Sequence, residues 1–314
     1  MRFAVVGAGA VGGYFAARLA TAGHDVAVVA RGAHLAAIRR DGLRVVSPAL
    51  GDFTVRLTAE ERATAIGEVD VVLFAVKTYD TAEALAHVGP LAGGRGVVLT
   101  LQNGVDSADE VAAAVGQDRV LGGVTYVATS ITAPGVITQT GVHRSIVFGE
   151  AFGERRAVSA RVEAIADAMG PAGIQVTPVA DARVPIWDKF VYLAPFAGFT
   201  GAARLPIGPL WQRPELREMF YAAAREVTLI AAAEGVAISA DRFETLAGYM
   251  DGIPPTTRSS LLTDLEAGRR IEVEALHGAA VRRAAARGLA VPILTTLYAV
   301  LRPWAAGASR ADVR

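Results

Sequence analysis

The chain has 314 residues, enough for one large or two ordinary domains, and 52% of them are apolar, so a sizeable core is available. Its 31 basic and 31 acidic residues cancel, which removes the electrostatic footprint expected of a nucleic-acid binder. There is no cysteine, hence no disulfide framework and no thiolate nucleophile, and the five histidines (His24, His34, His87, His143, His277) show no metal-ligand spacing.

The opening "MRFAVVGAGA" lacks the charged start, apolar core and cleavage site of a signal peptide. No uninterrupted apolar run is long enough to cross a bilayer. The expectation is a soluble, cytoplasmic protein with no nucleic-acid or membrane partner. "RFAVVGAG" reads as a strand, "AVGGYFAARLATAG" as an amphipathic helix ending at Gly23, and "HDVAVVAR" as a second strand. "GAHLAAIRRDG" reads as a short helix, and "LRVVS" with "FTVRL" as a hairpin-like insertion. "DVVLFAVK" is continuously apolar, as a strand covered on both faces requires. "TAEALAHV" reads as a helix, "GVVLTLQNG" as a strand, and "VDSADEVAAAVG" as a helix with an acidic first turn. Residues 119–149 are β-rich around a "TAPG" turn, followed by a helix near 155–170 and the strand "GIQVTPV". Beyond about residue 180 only helical periodicity remains, over 186–202, 214–234, 241–250, 257–267, 272–287 and 293–306. The pattern predicts an α/β Rossmann-type parallel sheet domain over 1–180 and an all-α domain over 181–314.

Gly7, Gly9 and Gly12 form G-x-G-x-x-G directly after a strand and at the start of a helix. The first glycine permits a tight turn, the second lets backbone approach a pyrophosphate, and the third lets helix and strand pack closely. Ala10 and Val11 lie inside this loop and share its expected cofactor-binding role. The second strand ends "VVAR", where an NAD enzyme usually carries Asp or Glu for the ribose 2′-hydroxyl. Arg31 stands there instead, and a guanidinium fork suits a 2′-phosphate. The expected cofactor is therefore NADPH/NADP+.

Several further motifs agree with one another: "GAGAVGGYFAARLATAGHDVAVVARGAHLAAIRRDGLRV", "FAVKTYD", "LQNG", "WDKF" and "RSSLLTDLEAGRRIEVEALHG". Together they resemble the ketopantoate reductase (2-dehydropantoate 2-reductase) family, over nearly the whole chain. The resemblance implies NADPH-dependent reduction of a 2-keto acid to the 2-hydroxy acid, as in ketopantoate to pantoate, with the helical domain carrying substrate and catalytic residues. It implies that Lys189 is the catalytic lysine and that Glu272 contacts the reacting oxygen. It implies substrate contacts from Ser260 and Asn103, and cofactor contacts from Lys77, Gln102 and Asn103 at the junction of cofactor and substrate. Asp264 matches an acidic position of the same motif with no direct chemistry assigned.

Physical chemistry supports the lysine separately. Lys77 and Lys189 are the only lysines among the 31 basic residues. Hydride addition to a ketone builds negative charge on its oxygen, and the partner there must be a cation able to release a proton. Lysine meets that need and arginine does not, because its pKa is too high.

The substrate side departs from the family. Its catalytic helix reads K-x-x-x-N-x-x-x-N, placing three polar side chains on one face. Here those positions are Lys189, Leu193 and Ala197, and Pro195 is expected to kink or interrupt the helix. The family's glutamine near Ser260 is Thr263, and Asp106 replaces a small residue. Losing two amide donors should lower the preference for ketopantoate and favour a more apolar carbonyl substrate. Three alternatives stand: a reductase for a more apolar substrate, a dehydrogenase working in the oxidative direction, and a non-catalytic NADP(H)-binding sensor. The helices at 214–234 and 272–287 could present a homodimer face or form the core of the helical domain, core being the stronger reading.

Overall fold

The computed structural model describes residues 1–308 and divides the chain into two compact units. The first comprises Met1–Asn103 and Ser107–Pro185; the second comprises Gly104–Asp106 and the chain from Ile186 onward.

The first unit is built on a ten-stranded sheet. Its strands are β1 (Arg2–Val6), β2 (Asp25–Val29), β3 (Leu43–Val46), β4 (Phe53–Val55), β5 (Thr58–Glu60), β6 (Val71–Phe74), β7 (Val97–Thr100), β8 (Val120–Ala133), β9 (Val136–Glu150) and β10 (Gln175–Asp181). The spatial order is β4-β3-β9-β8-β7-β6-β1-β2-β5, with β10 added on β9. From β5 to β8 all neighbours are parallel; β8 and β9 form a long antiparallel hairpin closed at Pro134–Gly135. Helices α1 (Ala10–Thr21), α2 (Gly32–Asp41), α3 (Thr81–Ala84), α4 (Val88–Ala92), α5 (Ser107–Val115) and α6 (Ala160–Met169) complete it.

Both faces of the central strands are covered, and successive residues serve opposite cores. Phe3 and Val5 of β1 pack with Tyr14, Phe15 and Leu19, while Ala4 and Val6 pack with Phe74, Leu91 and Val111. A strand buried on both sides must be apolar at every position, which explains "RFAVV" and "VVLF". Each fully buried aromatic or leucine side chain contributes about 1.5–3 kcal/mol.

Two local expectations need correction. The "LRVVS"–"FTVRL" pair is a hairpin, since Leu43 faces Val55 and Val45 faces Phe53 across antiparallel strands. It is not a separate insertion, because β3 also pairs in parallel with β9 and carries buried Leu43 and Val45 into the core. "TAEALAHV" is not one helix: α3 gives way to a 3₁₀ turn over Leu85–His87 before α4. Pro90 explains the break, because its ring clashes with the carbonyl four residues earlier, at Ala86.

The second unit is helical: α7 (Arg183–Ala203), which begins at the end of the first unit, α8 (Ile207–Trp211), α9 (Pro214–Ala233), α10 (Arg242–Gly252), α11 (Ser260–Glu266), a π-helical turn (Glu274–Gly278), α12 (Ala279–Ala286) and α13 (Pro292–Leu301). One core joins them, with Trp187, Phe190, Phe220, Val227, Ile230, Leu276 and Leu294 among its members. The apolar faces of α9 and α12 therefore serve this core. A buried glutamate belongs to the same packing. Glu226 accepts the Ile293 and Leu294 N–H groups at 2.9 Å each, capping α13 where Pro292 has no N–H to offer.

Pro195 does not interrupt α7, which runs through it from Arg183 to Ala203. An interior proline removes one helical hydrogen bond and costs about 3 kcal/mol. Burial of Phe190, Val191, Ala194, Phe196 and Ala197 around it offsets that cost.

Candidate active site

In the first unit, four segments leave the sheet at one edge. Val6, Phe74 and Thr100 are register partners across β1, β6 and β7. The glycine loop, Lys77 and Gln102–Asn103 therefore start from the same level. Val29 partners Val6 on the other side, and Arg31 follows two residues later. From β1 the chain moves first to β2 and then back across to β6, which makes the β1–β6 boundary the switch point where open α/β sheets take ligands.

The three glycines answer to three different constraints. Gly7 has φ +94°, and a Cβ there would sit 2.7 Å from the Val76 nitrogen. A Cβ on Gly12 would strike the Gly7 carbonyl oxygen and lie 2.9 Å from Val5 Cγ1. Gly9 differs: nothing lies within 4 Å of its missing Cβ. That open space borders the start of α1, whose N-terminus no side chain caps. Ala10 and Val11 are its first two residues, both partly exposed. Unsatisfied N–H groups and the helix dipole favour an anion here, so these residues fit the pyrophosphate of a dinucleotide.

Gln102 donates its amide to the Val76 carbonyl at 3.0 Å and to Thr81 Oγ1 at 2.9 Å, while its buried Oε1 has no protein partner. It braces the loop carrying Lys77 against the end of β7. Lys77 and Asn103 are partly buried on the same edge. Arg31 is exposed, and its guanidinium meets Asp80 at 2.8 Å and Glu83 at 3.2 Å. Sequence reasoning missed both acidic partners. Their signal was available in "KTYDTAE", which follows β6 onto the edge where Arg31 arrives from β2.

In the second unit, Lys189 lies on α7, partly buried. Burial pulls its ammonium down to about 8, against the opposing pull of the Glu272 carboxylate. Glu272 is itself only 7% exposed. The structure thus brings the two expected catalytic residues within electrostatic reach of one another. The neighbouring Asp188 pairs with Arg242 at 2.9 Å, and Arg242 also donates to the Asp188 carbonyl. This fixes the start of α10 to the turn of α7 that carries Lys189.

Glu272 lies two residues before the π-helical turn, a feature found often beside functional sites. His277 within it is fully buried and sequence reasoning gave it no role. Its Nε2 donates to the Ala194 carbonyl at 2.9 Å, and its Nδ1 has no protein partner. Burial pushes its pKa down to about 4, so the ring is neutral near pH 7. Gly198 leaves room for it, since a Cβ there would lie 2.6 Å from Nε2. His277 therefore joins the helix bearing Lys189 to the turn that follows Glu272.

Ser259 and Ser260 take different parts. Ser259 is buried, accepts the Leu262 N–H at 3.0 Å as the cap of α11, and bonds Thr200 at 2.7 Å. Ser260 is the exposed first residue of α11 and takes no part in that cap. Asp264 pairs with Arg269 at 2.8 Å, and the Thr263 hydroxyl donates to the Ser259 carbonyl at 3.0 Å. Asp106 binds Arg283 at 2.7 Å and Arg282 at 3.3 Å, holding Gly104–Asp106 to α12. Along α7, Leu193 is partly buried, but Ala197 is 1% exposed and belongs to the helical core.

Known proteins carry the same two-part organisation. The family model described as ketopantoate reductase PanE/ApbA matches residues 3–153, and its C-terminal counterpart matches residues 181–305. The chain belongs to the ketopantoate reductase family. It is 35% identical to the 2-dehydropantoate 2-reductase of Halobacterium salinarum, over 96% of this chain and 98% of that protein. It is 33% identical to the enzyme of the same name from Archaeoglobus fulgidus, over 96% and 97% of the two chains. A PanE/ApbA family ketopantoate reductase from Ralstonia eutropha superposes with a TM-score of 0.87 at 32% identity, covering 96% of this chain and 98% of that one. The protein is accordingly an oxidoreductase acting between a carbonyl and a hydroxyl carbon, with a Rossmann-type unit followed by a helical one. Members of this family use NAD(P)H. Among the described residues, no helix is long and apolar enough to cross a membrane.

Proposed function

We propose that this protein is an NADPH-dependent 2-dehydropantoate 2-reductase in which Lys189 donates the proton and the first unit holds the cofactor. When bound, the nicotinamide supplies hydride to the carbonyl carbon. Lys189 stands ready for the oxygen: an ammonium drawn to about 8 is mostly protonated at pH 7 yet gives up its proton more easily than an exposed lysine. Glu272 keeps that ammonium charged and oriented, and its carboxylate can accept a hydrogen bond from the product hydroxyl. This electrostatically coupled pair, a partly buried Lys189 and a buried Glu272, is the observation that carries the reading.

The remaining assignments follow the sheet edge and the helix ends. The loop from Gly7 to Gly12 and the start of α1 take the pyrophosphate. Arg31 takes the 2′-phosphate. Lys77 and Asn103 contact cofactor and substrate, Gln102 supports their loops, and Ser260 contacts the substrate. A second reading rests on Leu193 and Ala197, which offer no amide to a substrate hydroxyl. It assigns a more apolar 2-keto acid to the same machinery.

The test follows NADPH absorbance with ketopantoate, with branched 2-keto acids lacking the hydroxyl, and with larger apolar ketones. Lys189→Ala should lower turnover of the best substrate by about 10²–10⁴-fold while NADPH affinity stays unchanged. Preference for ketopantoate supports the first reading, and preference for an apolar 2-keto acid supports the second. Equal loss of turnover and cofactor affinity in Lys189→Ala would remove the proton-donor role, and tight NADPH binding without turnover of any carbonyl would refute both readings.

A further inference from the structure

Arg31 is not presented alone. Its Nη2 meets Asp80 Oδ2 at 2.8 Å, and its Nη1 meets both carboxylate oxygens of Glu83, at 3.2 and 3.4 Å. The three side chains come from separate places in the first unit: the residue before α2, the 3₁₀ turn after β6, and α3. Together they carry one positive and two negative charges. A 2′-phosphate adds roughly −1.5 to −2 near pH 7, as phosphate monoesters do. The arginine attracts it and the carboxylates repel it.

We propose that Asp80 and Glu83 are specificity-determining residues that restrain the enzyme's preference for NADPH over NADH by competing with the 2′-phosphate for Arg31. The proposal rests on the reading of Arg31 as the 2′-phosphate site. The two carboxylates differ in how firmly they hold. Asp80 is 22% exposed and sits in a tight turn, whereas Glu83 is 73% exposed and can swing away. Glu83 is therefore the partner that yields first when the phosphate arrives, and Asp80, held more firmly, goes on competing for part of the guanidinium. NADH has no phosphate at this position, so its binding does not require the exchange.

Dissociation constants for NADPH and NADH are measured by quenching of protein fluorescence, at fixed ionic strength, for the wild type, E83Q, D80N, the double variant and Arg31→Ala. Each charge removal is expected to tighten NADPH by up to about fivefold, the range of an exposed ion pair, and to leave NADH unchanged. The double variant should show the largest preference for NADPH. Raised salt should weaken NADPH binding to the wild type and narrow the gap between it and the double variant. If Arg31→Ala removes the preference but the neutral variants leave it unchanged or lower it, the carboxylates do not compete and this proposal falls, while Arg31 keeps its role. If Arg31→Ala weakens both cofactors equally, the 2′-phosphate assignment falls and the proposal falls with it.

Discussion

The sheet edge of the first unit and the Lys189 helix of the second solve recognition in opposite ways. At the sheet edge the groups we assign to the pyrophosphate are backbone: uncapped N–H groups of α1, and glycines whose missing side chains make room. On α7 they are side chains, and the positions one and two turns beyond Lys189 are Leu193 and Ala197. Backbone recognition constrains sequence tightly, because only glycine satisfies Gly7 and Gly12. Side-chain recognition can be rewritten one residue at a time without disturbing the helix. By the resemblance of its motifs, this chain keeps the family pattern in the first region and departs from it in the second.

That contrast governed what could be read from the sequence. The strand–glycine–helix unit was legible because each glycine has a local steric reason, and β1, α1, β2 and α2 lie where periodicity puts them. The fate of Pro195 was not legible. Helix rules weigh proline by its lost hydrogen bond, and the burial that outweighs it comes from residues far along the chain. The Arg31–Asp80–Glu83 cluster and the His277–Ala194 bond escaped for the same reason: their partners are 49, 52 and 83 residues apart. Lys189 and Glu272 were paired through the family resemblance, and the burial that shifts the lysine came only with the fold.

The largest effect on cofactor affinity should come from setting two glycines of one loop against each other. Gly9→Ala has open space and an ordinary φ of −67°, so its melting temperature should stay close to that of the wild type. NADPH affinity should fall more than about tenfold, because the added methyl enters the volume reserved for the ligand. Gly12→Ala must displace the Gly7 carbonyl and should cost about 1–3 kcal/mol of stability as well. Calorimetric melting and cofactor titration of both variants check this. An unchanged cofactor affinity in Gly9→Ala would break the comparison, since the open space would then have no ligand to explain it.

The pH profile sharpens the other side. Lys189 in the proposed role of proton donor must be protonated, so kcat/KM should be flat below pH 7 and fall about tenfold per unit above pH 8. The same shift acts on stability with a definite sign. Burial penalises the charged lysine, so the folded state holds its proton less tightly than the unfolded chain does. That penalty is fully present below pH 8 and is relieved as pH rises from about 8 towards the ordinary lysine value of 10.5. Lys189→Arg keeps the charge but should lose both the turnover and the limb near pH 8. A limb unchanged in Lys189→Arg would assign the titration to another group.

The smallest effect concerns what α7 reads. Leu193 is partly buried on the Lys189 face and packs against the margin of the helical core, whereas Ala197 lies within that core, so an asparagine, smaller than leucine but larger than alanine, disturbs the core less at 193 than at 197. An amide there could bond a substrate hydroxyl, and one good hydrogen bond contributes about 0.5–1.5 kcal/mol, or roughly twofold to tenfold in preference. Leu193→Asn should therefore raise kcat/KM for ketopantoate relative to its analogue without the hydroxyl by that factor, chiefly by raising the first and lowering the second. Ala197→Asn should instead destabilise the helical unit, because its amide would be buried without a partner. If Leu193→Asn leaves the ratio of the two substrates unchanged, position 193 does not face the substrate hydroxyl. The departure from the family at that residue would then be a packing variation, and the difference in how the two regions recognise their ligands would narrow to the lysine itself.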